Sequence, residues 1–213
     1  MQTKISQQVP KVLRYVFLVL TIAGSLFLAL NTAANFGIAS DGPFLRGFVA
    51  TYNEPGPTVS HLPDGQGELK VMNHSEKKFV LLGFSGLSAM LKVRHLFYLL
   101  NDSMSWVLAI MALYQMYRIF YNLEQKAVFC DDNVRRIRVI ALCVLIYPFI
   151  SLESTLQFKA IVSRIPDHGL NLAPVPVLHE SLAVGVLLSL IVFALAEVFR
   201  TGTHLQQEQD LTI

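Results

Sequence analysis

The sequence predicts an all-α membrane protein: a four-transmembrane-helix bundle with a small β-containing extracytoplasmic loop region. Three observations predict it. Apolar residues fill 53% of the 213 positions and charged residues only 15%, where an ordinary globular domain carries roughly a quarter. Charge is missing from four long runs rather than thinned evenly, and the stretch between the first two runs holds turn residues and β-prone segments. This distribution excludes a disordered chain, a collagen-like chain and a soluble nucleic-acid-binding domain. A formal net charge of +2 calls for no polyanionic partner, so no direct nucleic-acid contact is expected, and the first partner is the lipid bilayer.

The first span is placed at about Val12 to Asn35. No Asp, Glu, Lys, Arg or His occurs from Tyr15 to Ser40, and a helix of that length exceeds the ~30 Å hydrocarbon core. Lys4, Lys11 and Arg14 in its N-terminal flank, and Thr32-Ala33-Ala34 near its end, resemble a secretory signal, but the uncharged run is longer than such a signal needs and a retained anchor is expected. The second span runs from about Ser103 to Leu123, with Trp106 near one end and Tyr117 and Tyr121 near the other, as amphipathic aromatics sit in a spanning helix. Arg118 is expected to snorkel. The third, about Val139 to Phe158, contains Pro148, expected as a kink, and Glu153. The fourth, about Val177 to Phe199, is bounded by Glu180 and Glu197.

Four spans put both termini on one side. Lys4, Lys11, Arg14, Arg118, Lys126, Arg135, Arg136, Arg138 and Arg200 are nine of the seventeen basic residues, crowded into the termini and the 118–138 segment. By the positive-inside rule the termini and the 124–138 loop are cytoplasmic, in a bacterial inner membrane.

The extracytoplasmic insertion, 36–102, has turn signals at Asn53, Pro55, Gly56 and Pro57 and again at Pro63, Asp64, Gly65 and Gly67. Phe44 to Tyr52, Glu68 to Met72 and Lys78 to Leu82 are the candidate strands of an antiparallel sheet. Three short strands are marginal alone, so the sheet is expected to lean on the helix ends. Ser85 to Leu100 carries Leu87, Met90, Leu91, Val93, Phe97 and Leu100 near a helical period with Lys92, Arg94 and His95 interleaved, and is expected as a separate helix in the interface. The second outer loop, 159–176, is rich in proline.

Groups for catalysis are few. No phosphate loop, zinc helix or nucleophile elbow occurs, so no enzyme activity, catalytic residue or cofactor is expected. His61, His74, His95, His168 and His179 match no metal-ligand spacing, so no metal is expected either. Cys130 and Cys143 are read as unbridged thiols. Glu153 and Glu180, as carboxylates near lipid, are the candidate ion or proton sites of an alternative function as a small transporter, channel or efflux accessory subunit.

The cytoplasmic pieces are more distinctive. In Phe129-Cys130-Asp131-Asp132-Asn133-Val134-Arg135-Arg136-Ile137-Arg138 an Asp or Asn is expected to cap a helix running into the third span, which leaves three arginines opposing its macrodipole. The tail, 200–213, is polar with spaced Leu205, Leu211 and Ile213, and is read as a frayed end or a docking peptide. Phe129, Asn133, Arg136, Ile137 and Arg138, together with Phe199, Gly202, Leu205, Glu208, Asp210, Leu211, Thr212 and Ile213, resemble the bacterial four-span membrane proteins classed as domain of unknown function 2975. The resemblance implies a small Cro/CI-type helix-turn-helix regulator as cytoplasmic partner. The implied function is a membrane-bound sensor that sequesters or modulates this transcription regulator, with Phe129, Asn133, Arg135, Arg136, Arg138, Gly202, Leu205, Glu208, Asp210, Leu211, Thr212 and Ile213 as the partner-binding set. Exposed helix faces of a four-span protein offer a homodimer as a further partner, while the small-x-x-x-small pair, Ala33 and Gly37, lies at the outer end of the first span.

Overall fold

The structure, a computed structural model, describes residues 2–38, 42–51, 59–61, 67–74, 77–125, 128–165, 170–175 and 180–210. Both predicted turn clusters except Gly67, together with His168, His179 and Leu211 to Ile213, lie outside them, as do the side chains of His61, His74, Glu180 and Asp210.

Among the described residues four helices are long and apolar enough to cross a membrane, making this a multi-pass membrane protein: α1 (Gln2–Asn35), α3 (Val93–Glu124), α4 (Asp131–Val162) and α5 (Glu180–Asp210). A short α2 (Leu87–Met90) precedes α3. Every span is longer than its uncharged run, because helical backbone bonding does not stop where the side chains turn polar. Two expectations are corrected by this. Ser85 to Leu100 is not one separate helix: the chain breaks at Leu91 and Lys92, and Val93 to Leu100 is continuous with the span. Nor is the segment after Phe199 a frayed end, since α5 carries the tail as helix to Asp210.

The end of α1 has a local cause. Gly37, at φ +81°, lies between amide bonds from Gly37 to Ala34 O (2.9 Å) and from Ile38 to Ala33 O (3.1 Å). These crossed bonds form a Schellman cap, and the left-handed residue they require is the glycine. Ala33 and Gly37 thus have a role within the chain, in stopping the helix.

The chain forms two compact units. The first comprises Met1–Leu26, Trp106–Phe149 and Glu180–Ile213. In it α1 runs antiparallel to α3: Phe17 stacks on Phe120 at 5.4 Å, Gly24 abuts Ile110, and Arg14 pairs with Glu124 at 2.6 Å while lying over the Tyr121 ring. Ile119, Ile137 and Ala196 join α3, α4 and α5 in a small core. Along α5, Gly185, Ser189, Val192, Ala196, Phe199 and Thr203 follow one another at alternating steps of four and three, the spacing of a helix–helix seam. Gly185, Ser189, Ala196 and Thr203 are buried, and a Cβ on Gly185 would stand 2.7 Å from Pro148 Cγ. Lipid gives no hydrophobic drive for helices to associate, so close approach at small residues supplies the contact. The hydroxyls are satisfied at home: Ser189 donates to Val186 O, Thr203 to Phe199 O and Thr21 to Phe17 O.

The second unit comprises Phe27–Ser105 and Ile150–His179. Its sheet has four antiparallel strands in the order β1-β4-β3-β2: β1 (Phe44–Ala50), β2 (Val59–His61), β3 (Gly67–His74) and β4 (Lys77–Phe84). The three expected strands are present, and β2 is a further three-residue strand. Alternation along the strands turns Leu45, Val49, Leu69, Val71, Val80 and Leu82 to one face, where they pack with Tyr98 and Leu99 of α3 and Phe158, Ile161 and Val162 of α4. The sheet thus leans on helix ends as expected. Its β1 edge is covered by the second loop, through Ala173 N donating to Ala50 O and Lys159 Nζ donating to Ala173 O.

Candidate functional site

The segment before α4 and the base of the C-terminal helix meet in the first unit. Phe129 packs on Phe199 with ring centroids 5.6 Å apart, and a Cβ on Gly202 would stand 2.5 Å from Phe129 Cε1. The glycine is therefore a seat for an aromatic ring. Arg138 approaches Glu197 at 3.8 Å and Arg200 holds the same carboxylate at 2.5 Å. These pairs are about half exposed, and such pairs are worth about 0–1 kcal/mol, so the ring contact fixes the meeting and the charges orient it.

The cap expected of an Asp or Asn in this segment is filled by neither. The cap position belongs to Cys130, whose carbonyl accepts from the amides of Asn133 (2.9 Å) and Val134 (3.3 Å). Asn133 lies in the first turn and is wholly excluded from solvent. Its Oδ1 accepts from Asn122 Nδ2 of α3 at 2.9 Å and from Arg136 Nη1 at 3.2 Å, and its Nδ2 donates to Val128 O at 3.0 Å. One buried amide thus ties α3, the connecting segment and α4 together. Asp132 neutralises Arg136 at 3.1 Å, and both Asp131 and Asp132 suit the positive end of the helix dipole.

The partner-binding set accordingly divides. Asn133 and Gly202 are inward and build the site, with Arg136 half-buried between Asn133 and Asp132. Phe129, Arg135, Arg138, Leu205 and Glu208 are exposed, with His204 to Gln209 exposed around the full turn of the helix. Asp210 ends α5, and Leu211, Thr212 and Ile213 follow beyond the described residues.

Of the two candidate ion-site carboxylates, Glu153 and Glu180, the side chain of Glu180 lies outside the described residues. Glu153 is exposed and accepts from Gln157 Nε2 at 2.8 Å. Among the described residues no cluster of His, Cys, Asp or Glu could hold a metal ion. No disulfide joins the two cysteines, and Asn122 Nδ2 lies 3.6 Å from Cys130 Sγ.

Sequence reasoning missed a polar knot in the second unit. Arg46, on β1, donates to Asn31 Oδ1 of α1, its carbonyl accepts from Tyr98 Oη of α3 at 2.6 Å, and Asp102 lies within electrostatic reach. Beside it, Gly47 leaves no room for a side chain, since a Cβ would stand 2.6 Å from Phe158 Cδ1 of α4. Three helices therefore grip one strand at two successive residues. The available signal was Arg46 itself, a lone cation in a β-prone run, set against Asn31, one of two amides in an apolar span.

A family model described as Protein of unknown function (DUF2975) matches residues 76–213. The match takes in β4 and all helices from α2 onward, with the Phe129–Gly202 contact and the Asn133 network inside it, while α1 and β1 to β3 fall outside. No curated protein and no solved structure matches the chain.

Proposed function

We propose a function for this chain, which belongs to the DUF2975 family: it is a membrane-bound regulatory and sensory protein that holds a small cytoplasmic helix-turn-helix transcription regulator. The docking element is the 200–213 tail together with the 124–138 loop, both termini are cytoplasmic, and the membrane is the bacterial inner membrane. One observation carries the reading. The base of the tail is clamped by Phe129 over Gly202, while the turns beyond it present Leu205, 56% exposed, among polar residues. A helix continued past its lipid-covered length, braced at the root and exposed at the tip, suits capture of a soluble partner. The crowding of Arg135, Arg138 and Arg200 at the same end supports the cytoplasmic assignment.

The test is co-expression with a helix-turn-helix protein encoded beside the gene, followed by membrane fractionation. Deletion of Leu205 to Ile213 is expected to move the regulator from membranes to the soluble fraction while the truncated chain stays membrane-bound. Glu208→Lys is expected to weaken the same association. Unchanged retention of the regulator by the truncated chain would sink the docking model.

A further inference from the structure

The lipid-facing side of α3 does not begin where the sequence places its span. Val93, Leu96, Phe97, Leu100, Met104, Val107, Met111 and Tyr114 recur at steps of one, three and four, which puts them on one stripe of the helix. All are exposed, from 72% at Val93 and 57% at Phe97 down to 38% at Met111. Val93 to Tyr114 spans 21 residue steps, about 32 Å, close to the ~30 Å hydrocarbon thickness. Lys92 precedes the stripe and Arg118 closes it, both exposed and both able to reach headgroups while their stems lie on the apolar surface. Leu91 and Leu87 carry the apolar surface one element further, at 49% and 48% exposure.

From this continuity we infer that the elbow formed by α2 and the first two turns of α3 is a lipid-binding wedge. Leu87, Leu91, Val93 and Phe97 enter the headgroup and acyl boundary of the leaflet nearest the sheet. The occupant is the bilayer because the patch is the unbroken extension of a surface that lipid already covers in a spanning helix. A soluble face would not leave six large apolar side chains exposed within fourteen residues, Leu87 to Leu100. The wedge seats the sheet on the membrane surface, because Tyr98 and Leu99, on the opposite side of the same turns, are buried in the sheet's core.

Site-directed fluorescence on the full chain in vesicles tests this. Trp106→Phe removes the chain's single tryptophan, and Leu91→Trp, Val93→Trp and Phe97→Trp then report on the elbow one at a time. The vesicles are phosphatidylcholine and phosphatidylglycerol, with or without brominated acyl chains. Met104→Trp serves as the lipid-facing reference and His204→Trp as the water-facing one. Val93→Trp and Phe97→Trp are expected to lose about half or more of their emission to brominated lipid, as Met104→Trp does, and to resist acrylamide. If they instead follow His204→Trp, quenched by acrylamide and indifferent to bromine, the wedge is overturned. Protection from both quenchers would also overturn it, since a second copy or another protein would then cover the elbow. Quenching of Met104→Trp by bromolipid shows that the chain is inserted, so a negative result at the elbow is not a folding failure.

Discussion

Phe129 occupies the space that a side chain at Gly202 would need: a Cβ there would come within 2.5 Å of Cε1 and 2.6 Å of Cδ1 of the ring. The connecting segment and the tail helix are thereby held together by the absence of a methyl group.

Gly202→Leu is therefore expected to push the ring off Phe199 and lower stability by about 1–3 kcal/mol, the usual cost of overpacking a fitted contact. Phe129→Ala in the same chain should recover part of the loss by vacating the space. Thermal unfolding in detergent of the two single variants and the double variant checks this, and additive losses would show that the two residues do not share the contact.

Asn133→Leu removes both the acceptor for Asn122 and Arg136 and the donor to Val128 O. Buried groups left without partners cost about 1–3 kcal/mol each, so a loss toward the upper end of single-residue effects is expected. Asp132→Ala leaves the exposed partner of Arg136 missing instead and should cost well under half as much. Equal melting temperatures for the two variants would contradict the central position of Asn133.

In the second unit, Gly47→Val forces a branched side chain into the space of Phe158 and is expected to cost about 1–3 kcal/mol. The damage should be local. Hydrogen exchange should quicken in β1 and β4, which pair through Gly47 and Val80, with Phe158→Leu restoring part of the protection.

Arg46→Leu removes the donor to Asn31 and leaves an amide buried to 8% exposure without that bond. Limited proteolysis of the strand segments should accelerate in this variant, whereas Arg46→Lys should retain part of the protection. Identical cleavage rates in wild type and both variants would show that the knot does not hold the sheet.

Much of the fold could be read without coordinates, for reasons specific to particular stretches. The run from Tyr15 to Ser40 admits only a spanning helix, because an apolar length of that size has no stable arrangement in water. The strands at Phe44, Gly67 and Lys77 were legible as alternating, β-branched or aromatic runs. The break at Leu91 and Lys92 was not, since the apolar period continues through it and the interruption is a matter of backbone path. The continuation of α5 through Thr201 to Asp210 was missed because polar residues are equally compatible with exposed helix and with coil. Of the candidate site, the sequence singled out the Phe129 and Gly202 regions as distinctive. It could not tell that one is the seat of the other.

By itself the sequence determined how many times this chain crosses the bilayer, roughly where, and that its polar residues gather in one large insertion and two compact pieces. Those properties follow from the free energy of placing single residues in lipid or water, which depends on residue type and neighbours along the chain. Only the tertiary structure decided that Asn133 is an internal tie, that Gly202 receives Phe129, and that Arg46 reaches Asn31. Each of these relations joins residues far apart in the chain or sets the depth of one side chain, and pair energies in three dimensions leave no periodic trace in the order of residues.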